Sequence, residues 1–240
     1  MKTANLLSLV NRIAKLLSED EQKFIEKESK KEFNPMYESI PLLLACLKYE
    51  IEEDIRNQTA KSAGKTAALT TAKKILKAGL KYHNNVLGYA PIINGRQYLC
   101  DGFRLVELTE HLPLPNIPQE DILRYPDVNR LIKKYPDMVE LELPDKAKLK
   151  AFIKISKANK NIDDKFKGIP FDFGFNKPLV NADFLLDIME LIPDATAFYK
   201  PCSDNSGMIL NSIYLENDNS RGLLLPIRPD EKTPRVKTEV

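Results

Sequence analysis

Residues 92–108 read Ile92-Ile93-Asn94-Gly95-Arg96-Gln97-Tyr98-Leu99-Cys100-Asp101-Gly102-Phe103-Arg104-Leu105-Val106-Glu107-Leu108. Short apolar or β-branched runs, Val86 to Ile93, Gln97 to Cys100 and Phe103 to Leu108, are separated by Asn94-Gly95 and Asp101-Gly102. Both dipeptides are strong hairpin signals, because their residues tolerate the positive φ that a tight turn between strands demands. The stretch predicts a three-stranded meander.

On either side the pattern changes. Of 16 prolines, three precede residue 112 and the rest follow it, so the first part reads as helical and the second as short elements cut by turns. Leu6, Val10, Ile13 and Leu17 recur at helical spacing, and the mixed-charge run Glu19 to Glu32 reads as a solvated helical face. Pro41 can open a second helix running to about Ile55, and a third spans about Lys65 to Tyr82. After the meander, residues 112–136 read as a linker with a short helix near Val128 to Lys134. A strand at Val139 to Leu143 and a helix from Pro144-Asp145 to about Asn159 come next. Phe171, Phe173 and Phe175 alternate as a strand should, and Asn181 can cap a helix from Ala182 to Leu191. Strands at Thr196 to Lys200, Met208 to Leu215 and Gly222 to Ile227 complete an α+β protein. The divisions drawn are a helical region at 1–60, units at 61–136 and 137–230, and a tail at 231–240.

Composition narrows the function. With 36 basic and 34 acidic residues the net charge is +2, which excludes a uniformly basic nucleic-acid coat and a disordered acidic tail. Nine glycines and two histidines leave little for phosphate-cradling loops or histidine chemistry. Cys46, Cys100 and Cys202 lack metal-ligand spacing, and His83 and His111 lack a companion ligand set, so neither a metal nor a cofactor is expected. Gly64-Lys65-Thr66 lacks the earlier glycine and the preceding strand of a phosphate-binding loop. No run of about 18 apolar residues or secretory signal is visible, which reads as a cytoplasmic chain without membrane contact. Asp183, Asp187, Glu190 and Asp194 form one helical stripe, read here as a wet face. The competing reading is a metal-dependent hydrolase built on Asp101, Asp183 and Asp187, which requires those carboxylates to converge.

Charge is unevenly spread. From Ile55 to Cys100 there are eight basic residues and no acidic one, with Lys73, Lys77 and Lys81 on one helix face. A second acid-free stretch, Lys146 to Ile162, puts Lys146, Lys150, Lys154 and Lys157 on another. Such faces suit sequence-independent contact with duplex phosphates, and equally suit plain solvation. Few aromatics interleave, which disfavours single-strand stacking.

Three segments resemble the bacterial sliding clamp, the β subunit of DNA polymerase III. Cys100-Asp101-Gly102-Phe103-Arg104-Leu105 is similar to the family's Thr-Asp-Gly-aromatic/His-Arg-Leu. Val180-Asn181-Ala182-Asp183-Phe184-Leu185-Leu186-Asp187 is similar to its Asn-x-x-Tyr-Leu-x-Asp helix start. Leu223-Leu224-Leu225-Pro226-Ile227-Arg228 is similar to its closing apolar-Pro-apolar-Arg strand. The resemblance covers about residues 61–230 and implies two abbreviated clamp-like β/α units with antiparallel sheets, no catalysis and a part in replication. It implies a cleft for linear peptides of replication proteins at Gly102, Phe103, Arg104, Leu105, Leu225, Pro226 and Ile227. It also implies a DNA-facing surface carrying the lysine helices. The chain departs from the family in replacing the first clamp domain by helices over 1–60, in shortening the interval 160–179, in an acidic helix at Ala182 and in continuing to Val240. Ring closure and oligomeric state are therefore left open. The departures suit a reduced relative of phage or mobile-element descent, or a scaffold that binds proteins without encircling DNA.

Overall fold

The computed structural model describes residues 7, 10–13, 23, 40–82, 85–159, 168–174, 176–201, 211–228 and 237–238. His83, Phe175, Cys202, Leu6, Leu17, the segment 208–210 and the mixed-charge run apart from Lys23 lie outside the described residues. Two compact units are formed, residues 1–69 with 112–115 and residues 70–111 with 116–240. The boundary falls inside one helix.

In the first unit the main element is α1 (Ile40–Ser62). Its buried Leu44, Ala45 and Ile51 gather with Val10 and, at the margin, Leu7 and Ile55. Ile13, placed by its spacing on the same face as Val10, is 39% exposed. Helix α1 runs seven residues beyond the expected Ile55 and ends at Gly64, whose φ of +69° gives the left-handed C-terminal turn. The Lys65 amide closes that turn on the Ala60 carbonyl at 2.8 Å. Gly64-Lys65-Thr66 is thus a helix stop followed by the next helix, α2 (Thr66–Tyr82).

The second unit is built on one antiparallel sheet of seven strands, in the order β1-β2-β3-β9-β8-β7-β4. The meander supplies β1 (Ile92–Ile93), β2 (Arg96–Cys100) and β3 (Arg104–Leu108). Asn94 and Gly95 take φ values of +51° and +74°, as their hairpin requires. The expected strand over 86–93 keeps only two residues. Asn85–Gly88 forms a 3-10 turn that buries Val86 and Leu87 instead. After α3 (Val128–Leu131) come β4 (Val139–Leu141) and α4 (Lys146–Ala158), capped by the Asp145 side chain on the Lys148 amide. Strands β5 (Pro170–Asp172) and β6 (Leu179–Asn181) pair as a separate small sheet. Asn181 caps α5 (Ala182–Leu191) through the Asp183 amide. Strands β7 (Thr196–Tyr199), β8 (Ile213–Glu216) and β9 (Ser220–Leu224) then return to the large sheet.

The β3–β9 pair welds the meander to the C-terminal strands, with Leu105 opposite Leu223 and Val106 opposite Gly222. The large sheet therefore takes strands from both sides of residue 136. Alternation gives it two covered faces. Tyr98, Cys100, Leu105, Tyr214 and Leu223 point into a core closed by Val86, Leu87, Ile117, Tyr125, Val128 and Ile132. On the other face α5 lies close to β9: a Cβ at Gly222 would stand 2.9 Å from Ile192 Cδ1. Leu185, Ile188 and Ile192 of that helix and its exit are fully buried.

Candidate functional site

Residues 100–105, 180–187 and 223–228 meet in space. Asp101 is fully buried and organises the turn after β2: its Oδ1 accepts from the Phe103 amide at 2.9 Å and the Arg104 amide at 2.7 Å. Gly102, at φ +84°, completes that turn. Arg104 folds back so that Nε and Nη2 donate to Asp101 Oδ2 at 2.9 and 2.6 Å. Its remaining arm, Nη1, donates to Asp187 Oδ2 on α5. The guanidinium also lies 4.0 Å from the centre of the Phe184 ring. Lys74 of α2 reaches the same carboxylate, with Nζ 2.8 Å from Asp187 Oδ2. Arg104 is thus a buried knot joining β3, α5 and α2. The segment 223–228 joins through β3–β9 pairing and through the Leu225 amide, which donates to the Phe103 carbonyl at 2.9 Å.

This geometry divides the residues expected to line a peptide cleft. Phe103 and Leu225 are 41% and 46% exposed and lie side by side, Gly102 is exposed, and Pro226 and Ile227 are half-buried. Arg104 and Leu105, by contrast, are 2% and 4% exposed. Alternation along β3 sends Leu105 into the core, and two carboxylates take up the arginine fork. Neither can line an open groove. Phe184, 5.9 Å from Phe103 between ring centres, backs the patch in their place. Only its position in the Asn181-to-Asp187 segment hinted at that.

The lysine faces are altered by the acidic helix. Asp183, Asp187 and Glu190, expected to be a wet stripe, are instead the partners of lysines. Lys146 Nζ lies 2.6 Å and Lys150 Nζ 3.7 Å from Glu190 Oε2, and Lys157 Nζ 2.7 Å from Asp183 Oδ1. The hydrogen bond from Lys146 holds the Glu190 carboxyl below its ordinary range, against a smaller opposing effect of burial. Lys77, Lys81 and Lys154 are exposed, and Lys73 is half-buried. Helix α2 carries four lysines and α4 five, against three carboxylates on α5, so the three helices together keep six excess positive charges.

On the opposite sheet face lies a polar cluster with no sequence signal beyond ordinary strand alternation. Glu107 is buried and receives Arg221 Nη2 at 2.7 and 2.8 Å and the Tyr98 hydroxyl at 3.0 Å. Burial, with Glu107 beside it, pushes the Tyr98 hydroxyl up to about 12. Burial likewise drives the Cys100 thiol up to about 11, which leaves it protonated and unreactive near neutrality.

The hydrolase alternative fails on geometry. Asp101 and Asp187 do approach one another, but the Arg104 guanidinium sits between them, and Asp183 is paired with Lys157. No group of carboxylates, histidines and cysteines suited to a metal ion occurs among the described residues. His111 Nε2 lies 3.0 Å from the Gly95 carbonyl, at the first hairpin. Among the described residues no helix is long and apolar enough to cross a membrane.

No family model and no curated protein matches the chain. Two solved structures are similar over 68% of it: the DNA polymerase sliding clamp from Pseudomonas aeruginosa with ligand, at 13% identity and a TM-score of 0.40, and the DNA polymerase III subunit beta from Pseudomonas aeruginosa, at 14% and 0.39. The match spans 65% of each of those chains, just under two thirds of their length.

Proposed function

We propose that the protein is a non-enzymatic accessory of DNA replication whose helices α2 and α4 contact duplex DNA through its phosphates. The observation that supports this most is that the nine lysines of α2 and α4 exceed the three carboxylates of α5, which pair with lysines of both helices, by six charges. Lysine-phosphate attraction needs no base recognition, so binding is independent of sequence and falls steeply with salt as counterions are released. The motif resemblance in the segments that meet at Arg104 is what directs the reading to replication. Fluorescence anisotropy with two unrelated duplexes tests it. Dissociation constants of roughly 10⁻⁴ to 10⁻⁶ M near physiological salt are expected for both. A variant with Lys73, Lys77, Lys81 and Lys154 changed to glutamate should lose binding while keeping its fold. No binding by the native chain at about 50 mM salt rejects DNA contact and leaves a protein-binding scaffold.

A second reading is supported by the Phe103–Leu225 patch. Two large apolar side chains from segments distant in sequence are exposed side by side just beyond the paired ends of β3 and β9, the kind of surface that marks a docking site. Its ligand in this reading is an extended peptide of a replication protein, presenting two or three large apolar side chains.

A further inference from the structure

The two outer edges of the small β5–β6 sheet are both met by the C-terminal part of the chain. On the β6 side the Ile227 amide donates to the Leu179 carbonyl at 2.7 Å. On the β5 side the Thr238 amide donates to the Asp172 carbonyl at 2.8 Å, and the Asp172 amide donates to Thr238 Oγ1 at 3.0 Å. The second contact is unlike a ladder bond, because a side-chain hydroxyl stands where a backbone carbonyl would. The Lys237 stem lies over Gly174, at φ +110°, where an added Cβ would be 3.5 Å from the lysine Cβ.

An open groove of about 450 Å³ adjoins this contact. Glu142, Asp145 and Asp172 line it against Lys148, so without Lys237 its lining carries two excess negative charges. The edge thus has three recognisable demands: an extended backbone, a hydroxyl that can accept from Asp172, and a basic residue just before it.

We propose that the outer edge of β5 is a docking site for an extended segment of another protein carrying Lys or Arg followed by Ser or Thr, and that Lys237–Thr238 occupies it in cis as a displaceable strap. Strand addition of this kind draws affinity from main-chain bonds and selectivity from the flanking side chains. The tethered occupant competes at an effective concentration of roughly millimolar, so an incoming segment must outbid it or act when it is released.

The test uses the full chain, a full-length Thr238→Pro variant and a full-length Lys237→Glu variant. The probe is a fluorescent peptide of residues 229–240, Pro-Asp-Glu-Lys-Thr-Pro-Arg-Val-Lys-Thr-Glu-Val. Thr238→Pro removes the amide donor and the hydroxyl together, so that variant should bind the probe at least about tenfold more tightly than the native chain. Lys237→Glu should shift affinity in the same direction. A probe carrying glutamate and proline at the positions of Lys237 and Thr238 should bind none of the three. Equal affinity of native chain and variants for the probe, or equal binding of the altered probe, overturns the proposal. Native dimers that dissociate on addition of the probe overturn it too, by assigning the edge to a second copy of this chain.

Discussion

The Leu225 amide donates to the Phe103 carbonyl at 2.9 Å, fastening side by side two residues more than a hundred positions apart. Their side chains are exposed, while Leu105, two residues along β3, is in the core. Neighbouring positions of one motif therefore answer to different physics. Leu225→Glu should leave stability within about 0.5 kcal/mol, since exposed positions tolerate charge. It should remove binding of an apolar extended peptide, as read by calorimetry. Leu105→Glu should instead lower the urea midpoint sharply, because it buries a carboxylate among apolar side chains. A Leu225→Glu chain that melts early, or still binds the peptide, contradicts this division.

Arg104 is the point on which three elements depend. Its guanidinium is satisfied by Asp101 and Asp187, and truncating it leaves both carboxylates buried without their principal cation. Breaking such a buried pair typically costs about 3–5 kcal/mol. Arg104→Ala should lose stability of that order in urea denaturation, whereas Lys74→Ala, whose side chain is half exposed, should lose about 1 kcal/mol or less. Comparable losses in the two variants would mean that the knot is held mainly from α2.

The same residue shows where sequence reading stops. Helices 146–158 and 182–191, the opening of the first at Pro144-Asp145, the Asn181 cap of the second and the Asn94-Gly95 turn were legible because each is decided by a few neighbouring residues. The nearness of 100–105 to 223–228 came from family resemblance, since no local periodicity says which strand edges pair. The burial of Arg104 was not legible: an arginine beside a glycine turn looks like surface until its partner 83 residues away is known. The Asp183–Asp187–Glu190 stripe had the right spacing to be noticed, but its lysine partners lie on other helices. Strand alternation in Phe103-Arg104-Leu105 says that Leu105 and Arg104 face opposite sides of the sheet, but not that both sides are covered.

Acid should loosen the α4–α5 contact. The hydrogen bond from Lys146 lowers the Glu190 carboxyl below its ordinary 4.5, so the folded state binds its proton more weakly than the unfolded chain does. The resulting stabilisation is fully present above pH 4.5 and is lost as pH falls through the lowered folded value. Thermal melts of native chain and Glu190→Gln should differ most above pH 5 and converge toward pH 3. A difference that grows as the pH drops would have the wrong sign for this pair.

Helix α2 supplies a substitution in which propensity and packing oppose each other. Gly79 lies in the last turn of α2, and alanine there would by propensity alone stabilise the helix by at most about 1 kcal/mol. Its backbone, however, passes so close to the β2 end and the 3-10 turn that a Cβ would stand 2.8 Å from the Leu87 carbonyl oxygen and 2.9 Å from that of Cys100. Both are backbone atoms of packed segments, so relief requires moving α2 rather than rotating a side chain. Overpacking of this kind costs about 1–3 kcal/mol or more, enough to outweigh the propensity gain. Gly79→Ala should therefore lower the urea midpoint at unchanged m-value. A rise in the midpoint would show that α2 can lift from the sheet at little cost, and the lysines of α2 would then be free to move relative to those of α4.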